Sequence, residues 1–152
     1  MNVYERNINA SIDITAEDYL VTRASLLDLD HNIRLQMMVK ISTREIITAT
    51  GEMVKTPFGE CKTALPNVDK LIGLKIERGF AKKMREAVGG AGGCTHIVEL
   101  ALTMASLSSN SILLEAARDP EKRQKFSEKS EEERKEEIGS FLKNSCIVFK
   151  EK

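Results

Sequence analysis

The sequence lacks tryptophan and any excess of charge, and both absences limit what the protein can be. Lysine plus arginine and aspartate plus glutamate number 23 each over the 152 residues. A chain without net charge has no long-range attraction for nucleic acid or for an anionic membrane surface. Stretches in which basic and aromatic residues interleave are missing too. We therefore expect a protein or a small molecule as the partner, with no nucleic acid and no membrane, and leave self-association open.

Long apolar runs and an apolar leader are also missing. The polar start, MNVYERN, is unlike a secretion signal, and no apolar run approaches the length of a membrane-spanning helix. The cysteines number three, and an odd number in a chain without a secretion signal favours free thiols over a disulfide framework. The sequence thus predicts a cytoplasmic protein with reduced cysteines.

Alternation of apolar and polar residues predicts an antiparallel sheet in the N-terminal half. It is clearest between Ile33 and Ile41, where every second residue is apolar. We expect about four strands, near residues 3–14, 18–29, 31–41 and 45–55. The polar residues of the third strand face the opposite way, so one face of the sheet is solvated and the other needs a cover.

Helical spacing predicts that cover in the second half. Phe80, Met84 and Val88 recur every four residues and indicate a helix over residues 77–88. A longer apolar helix is expected to follow the glycine-rich segment and run toward Ala117. The predicted fold class is α+β, with two layers in which the C-terminal helices cover one face of the sheet.

The C-terminal quarter changes in composition. Residues 118–137 are mostly charged and predict an exposed helix or linker, with Pro120 at a helix start and a capping box from Ser130 to Glu133. Residues 138–152 regain apolar character, and we expect them to dock back on the body of a single domain spanning 1–152. A short strand is one form that this tail could take.

Residues 89–102, GGAGGCTHIVELAL, combine four glycines with Cys94 and His96 at a predicted helix start. The N–H groups and the dipole at such a start lower the pKa of a thiol, so Cys94 is a candidate thiolate. Residues two apart in a helix diverge by roughly 200°. Cys94 and His96 can therefore share a ligand only if Cys94 lies in the loop. An ordinary turn with a small buried cysteine explains the same pattern.

Other residues with metal-binding chemistry are scattered along the chain. His31 lies in the polar break between the second and third strands, Cys61 follows the fourth strand, and Cys146 lies in the tail. A hairpin turn with a solvated histidine and a cysteine packed in the core are the simpler interpretations. Oxygen donors in the same parts of the chain are Asp28, Asp30, Glu52 and Glu60. A mixed cysteine and histidine set suits zinc or an iron-sulfur cluster better than magnesium or calcium, although no zinc-finger spacing is present.

A family resemblance supports this choice of residues. The blocks DLDHNIRLQMMVKI, REIITATGEMVKTPFGEC, LIGLKIERGF and GGAGGCTHIVEL follow one another in the order seen in an uncharacterised bacterial family, domain of unknown function 2889, which closes on a Gly-Cys-Thr-His signature. The resemblance covers roughly residues 4–115 and implies no known activity. The recurring polar positions of the family fall on His31, Cys61, Cys94 and His96. The charged segment from Pro120 departs from the family pattern.

A weaker resemblance is to iron-sulfur scaffold proteins of the NifU and IscU type. They too combine an antiparallel sheet with following helices, and they place cysteines after a strand and at a later helix start. Cys61 and Cys94 fall in comparable places, whereas His96 follows Cys94 by two residues where those proteins have a histidine directly before a cysteine. The resemblance implies a related fold more than a shared function.

Three functional hypotheses follow. In the first, Cys61, Cys94 and His96, completed by His31 or Cys146, bind zinc or an iron-sulfur cluster. In the second, the protein is a thiol enzyme with Cys94 as the nucleophile and His96 or His31 as the base. In the third, the protein is a non-enzymatic structural or partner-binding domain whose cysteines belong to the core.

Overall fold

A computed structural model describes residues 1–16, 18–113 and 119–150, which separate into two compact units, Met1–Ser109 and Asn110–Lys152. The first unit begins with a four-stranded antiparallel sheet in the order β1-β2-β3-β4. Its strands are β1 (Arg6–Ala16), β2 (Tyr19–Asp28), β3 (Asn32–Lys40) and β4 (Ile46–Lys55). A 3₁₀ helix (Gly59–Leu71) and α1 (Phe80–Val88) follow, and then α2 (Thr95–Leu113), whose residues up to Ser109 belong to this unit. The predicted α+β class and the four antiparallel strands are confirmed.

The register of the sheet gathers the apolar side chains on one face. In β2 and β3 the paired residues Leu20 and Val39, Ala24 and Leu35, and Leu26 and Ile33 are all buried. Residues between them, such as Arg34, point to the other face, where Arg34 is 62% exposed and pairs with Glu52. The alternation with period two therefore produces the polar face that the sequence predicted.

The apolar face is covered by α2. Ile97, Leu100, Ala101 and Met104 follow helical spacing and are buried. Burial of Ile97, Leu100 and Met104 contributes roughly 1.5–3 kcal/mol each relative to an exposed side chain. The α2 helix is fixed to β2 by a buried hydrogen bond of 2.7 Å between the hydroxyls of Thr22 and Ser108. The 3₁₀ helix and α1 add further buried residues: Ala64, Val68, Leu71, Phe80, Met84 and Val88.

The second unit contains α3 (Pro120–Glu128), α4 (Glu131–Leu142) and a 3₁₀ turn (Ile147–Phe149). Both parts of the predicted capping box are present, with the Ser130 hydroxyl accepting from the Glu133 N–H and the Glu133 carboxylate accepting from the Ser130 N–H. Residues 147–149 adopt the 3₁₀ turn instead of the strand considered for the tail. The chain reverses before them, because the N–H of Asn144 donates to the Phe149 carbonyl at 2.9 Å. The docking of residues 138–152 on the body stays a prediction.

The Thr22–Ser108 hydrogen bond generates a stability prediction. Replacing Ser108 by Ala leaves the Thr22 hydroxyl buried without this partner, so we expect the free energy of unfolding to fall by about 1–3 kcal/mol. Replacing both partners, in the Thr22→Val/Ser108→Ala variant, removes the unsatisfied group and should restore part of that loss. Urea denaturation of both variants measures the difference. Thr48→Val, at an exposed position of β4, is the matched control and should change stability by less than about 0.5 kcal/mol.

Candidate functional site

The site is built around Asp28, the last residue of β2. The side chain of Asp28 is fully buried, and its Oδ1 accepts the backbone N–H groups of Asp30 at 2.9 Å and His31 at 2.8 Å. The same oxygen lies 2.9 Å from Nδ1 of the His31 ring. An aspartate that accepts from the N–H groups following it is a common way to close a turn. Here the turn also orients His31, because Nδ1 donates to Asp28, so the lone pair of a neutral ring lies on Nε2.

Arg6 supplies the charge that a buried carboxylate needs. The register of the sheet pairs Arg6 of β1 with Asp28 of β2. Nε and Nη2 of Arg6 donate to Oδ2 of Asp28 at 2.9 Å and 2.8 Å. The Tyr4 hydroxyl also helps to lower the pKa of Asp28. Burying an ionised carboxylate without partners is costly, so this set of donors is what allows Asp28 to be buried in its charged form.

These donors also set the pKa of Asp28. Burial alone would raise that pKa, but the hydrogen bonds from His31, Tyr4, the backbone of Asp30 and Arg6 outweigh burial and hold it well below its usual range. Asp28 is therefore ionised at neutral pH.

The glycine-rich loop before α2 fixes where the helix begins. The N–H of Cys94 donates to the Val88 carbonyl at 2.9 Å, and the Cys94 carbonyl accepts from Val98 at 3.1 Å. A Cβ atom on Gly93 would lie 2.2 Å from the Val88 oxygen and 2.4 Å from the Gly89 oxygen, so a side chain is excluded at position 93. Close backbone packing at Gly93 thus sets the position of the first turn of α2.

His96, in that first turn, comes directly against the Asp28 turn. The rings of His31 and His96 have their centroids 4.0 Å apart. Nε2 of His96 lies 3.1 Å from Nη2 of Arg6. An arginine side chain only donates hydrogen bonds, so we assign the acceptor role to Nε2 and the ring proton to Nδ1. Burial lowers the pKa of His96, and the neighbouring His31 and Arg6 lower it further, which favours this neutral ring.

Asp28, His31 and His96 together form a candidate metal site. One potential ligand atom from each residue lies within 4.8 Å of the other two. Across residues 1–16, 18–113 and 119–150, this is the only group of three or more such side chains. Zinc bonds to nitrogen and oxygen of roughly 2.0–2.2 Å, in the tetrahedral geometry that zinc favours, place two ligands of one ion about 3.3–3.6 Å apart. Side-chain movements of up to about an ångström would therefore bring the three atoms onto one ion.

The predicted site residues are thus brought together in part. His31 and His96 are neighbours, and Sγ of Cys94 lies 3.9 Å from Nδ1 of His96. Cys61 is half-buried in the 3₁₀ helix, and Cys146 is exposed in the second unit. Neither they nor Cys94 belong to the group of potential ligands. Ligation by the cysteines stays a prediction.

The sequence did not predict the parts that two residues play in the candidate site. Asp28 was recognised only as an oxygen donor in a hairpin turn, and Arg6 carried no signal at all. The position of Arg6 opposite Asp28 depends on how β1 pairs with β2, which the alternation of residues within one strand does not specify.

A depression of about 430 Å³ lies elsewhere, on the polar face of the sheet. It is lined by residues of β1, β2 and β3, among them Arg23 and Arg34. Both arginines have partners, since Arg23 pairs with Asp13 and Gln36 and Arg34 pairs with Glu52. The residues that line the depression include none of the Asp28 site, so we place the candidate chemistry at the histidines.

The fold and site together define an α+β domain in which a buried aspartate holds one of two adjacent histidines. Residues 7–109 match the model of a family of proteins of unknown function, DUF2889, and the chain belongs to that family. The match ends where the first unit ends. Neither curated proteins nor solved structures give a significant match, so the likeness to NifU and IscU is not shown. Within the described residues, no helix combines the length and apolar character needed to cross a membrane.

The close packing at Gly93 generates a stability prediction, and the preceding residue, Gly92, provides the control. Replacing Gly93 by Ala forces its Cβ into two carbonyl oxygens, so we expect a loss of roughly 1–3 kcal/mol or more in the free energy of unfolding. Replacing Gly92 by Ala should change it by less than about 0.5 kcal/mol, because no atom lies within 4 Å of a Cβ there. Chemical denaturation of both variants tests this, and equal losses would show that the close approach at Gly93 is unimportant.

The Asp28 network predicts a stability that depends on pH. Replacing Asp28 by Asn should lower the free energy of unfolding at neutral pH by roughly 1.5–3 kcal/mol, because charged hydrogen bonds are lost. The pKa of Asp28 is lower in the folded protein than in the unfolded chain. Its stabilisation is therefore complete above about pH 4 and is lost as the pH falls toward the folded-state pKa.

Urea denaturation over a pH series should accordingly show that the difference between wild type and Asp28→Asn shrinks on acidification. Asp30→Asn, in the same turn, is the control and should stay within about 0.5 kcal/mol of wild type. A difference that is unchanged down to about pH 2 would contradict this account of Asp28.

Proposed function

We propose that the protein binds one divalent transition-metal ion through His31, His96 and Asp28. The observation that carries the proposal is the convergence of the only two histidines of the chain with a buried carboxylate, their potential ligand atoms within 4.8 Å of one another. The two histidines come from the β2–β3 turn and from α2, which are distant in sequence. Their meeting therefore depends on the packing of the helix layer on the sheet.

The arrangement of Asp28 and His31 supports the proposal. Histidines that ligate a metal usually donate their other ring nitrogen to a carboxylate, which fixes the tautomer and the ring orientation. The Asp28 oxygen 2.9 Å from Nδ1 of His31 provides this arrangement and leaves Nε2 for the ion. A carboxylate bonded to Nδ1 of His31 cannot also reach an ion held by Nε2 of the same ring. Asp28 would therefore serve as the third ligand only once its bonds to the His31 ring and to Arg6 are both exchanged for the ion.

The donor set favours zinc or iron(II) over an iron-sulfur cluster. Two imidazoles and one carboxylate are ligands typical of zinc and of mononuclear iron sites, whereas clusters require several thiolates. The cluster is the alternative, with Cys61, Cys94 and His96 among its ligands. A cluster would give visible absorption in protein isolated without oxygen, and a zinc site would not.

A thiol enzyme is the second candidate, because Sγ of Cys94 lies 3.9 Å from Nδ1 of His96. The hydrogen bond from Arg6 weighs against this candidate. It keeps the proton of His96 on Nδ1, so the nitrogen that faces Cys94 has no lone pair with which to accept the thiol proton. His96 is therefore poorly arranged as a base for Cys94.

Metal binding is tested with protein that carries no histidine tag and has been stripped by a chelator. Titration calorimetry with zinc, together with elemental analysis after dialysis, should give one ion per chain. We expect His31→Ala and His96→Ala to weaken binding by at least about tenfold. Cys61→Ser and Cys146→Ser are the controls and should bind as wild type does.

The other outcomes are equally informative. Binding that is substoichiometric and unaffected by His96→Ala would overturn the proposal. Binding lost in Cys61→Ser would favour the cysteine ligand set. Alkylation of Cys94 that is fast, independent of chelator and accompanied by no bound metal would favour the thiol enzyme. Protein without metal and with ordinary thiol reactivity would leave a structural or partner-binding domain.

A further inference from the structure

Arg6 reaches two of the three proposed ligands at once. Its Nη2 lies 2.8 Å from Oδ2 of Asp28 and 3.1 Å from Nε2 of His96. Its third nitrogen, Nη1, donates to Oε2 of Glu99 at 3.2 Å. One guanidinium therefore bridges a carboxylate and an imidazole, which is the bridging position that a bound cation would take.

The lone pairs that Arg6 occupies are the ones that an ion needs. Nε2 of His96 has a single lone pair, and Arg6 uses it. Asp28 already accepts from the N–H groups of Asp30 and His31, from the His31 ring, and from Nε and Nη2 of Arg6. A carboxylate offers about four lone-pair sites, so none is left over for direct ligation. A metal ion can bind these atoms only if Arg6 withdraws from them.

Glu99 can keep Arg6 paired when Arg6 leaves Asp28 and His96. It follows His96 by one turn of α2, and its side chain is 41% exposed. Arg6 itself is 31% exposed, so its guanidinium can turn outward without crossing the core. The bond to Glu99 can persist while the bonds to His96 and Asp28 are broken, which keeps the arginine charge paired in both positions.

We propose that the positively charged Arg6 side chain competes with the metal ion for Asp28 and His96. When the ion binds, Arg6 stays paired with the Glu99 carboxylate alone. This inference rests on the proposed metal site. The site formed by Asp28, His31 and His96 thereby has two states. In one state Arg6 is bonded to Asp28 and His96, and in the other the ion is bound there. Arg6 also keeps the buried carboxylate satisfied in the closed state, so an empty site carries no unpaired charge.

Metal affinity of Arg6 variants tests the competition. Arg6→Gln removes the charge while keeping a donor for Asp28, and we expect zinc to bind about 5- to 100-fold more tightly than to wild type. Arg6→Met is the second variant and should act in the same direction, with circular dichroism to show that each variant is folded. Arg23→Gln removes an arginine that pairs with Asp13 on the polar face. This control should leave the affinity unchanged within about twofold.

The role of Glu99 requires a double-mutant cycle, because simple electrostatics also predicts that removing its charge weakens metal binding. If Glu99 acts by receiving Arg6, then Glu99→Gln should weaken binding in the wild-type background and have no effect in the Arg6→Gln background. Additive effects of the two substitutions would mean that Glu99 acts by its own charge, and would overturn its part in the inference.

A measurement without metal separates this inference from the proposed function. Nitrogen NMR of the metal-free protein reports which ring nitrogen of His96 carries the proton. We expect Nδ1–H in wild type and a shift toward Nε2–H in Arg6→Met. An Nε2–H ring in wild type would overturn the competition, whatever the metal titration gives. The expected NMR result together with an absence of zinc binding would instead overturn the proposed function and leave the Arg6 contact standing.

Discussion

The structure of the site depends on one buried carboxylate. Asp28 is ionised and fully enclosed, and the donors that make this possible come from two separate parts of the chain. Its own turn supplies two backbone N–H groups and the His31 ring, and the start of β1 supplies Arg6. Because a buried charge must be paired, these segments have to meet in a fixed geometry. The position of His96 against them then follows from the placement of α2 on the sheet.

The arrangement of α2 shows how local and long-range constraints combine. At its N-terminal end the backbone of Gly93 passes so close to two carbonyl oxygens that no side chain fits. Toward its other end the hydroxyl of Ser108 meets that of Thr22 inside the core. The helix is therefore fixed both along its axis and in its rotation, and the first turn presents His96 and Glu99 on one side. The short side chains of Ser108 and Thr22 and the absence of a Cβ at Gly93 allow the backbones to approach this closely.

Much of the fold could be predicted from the sequence because its signals are periodic and local. The alternation around Ile33 to Ile41 predicted β3, the spacing of Phe80, Met84 and Val88 predicted α1, and Ser130 with Glu133 predicted the start of α4. The site was less accessible. Because cysteine and histidine are scarce, the sequence predicted His31 and His96 as ligands but equally Cys61 and Cys146. The parts played by Asp28 and Arg6 depend on strand pairing and on helix placement, which single residues do not encode.

Arg6 also connects the edge of the sheet to α2. β1 is an edge strand with one neighbour, and its first residue is bonded to the start of α2 through His96 and Glu99. These bonds anchor the end of the strand that would otherwise be the easiest to fray. If the Arg6 contacts open, that strand end loses its anchor. An event at the histidines would thereby reach the outer edge of the sheet.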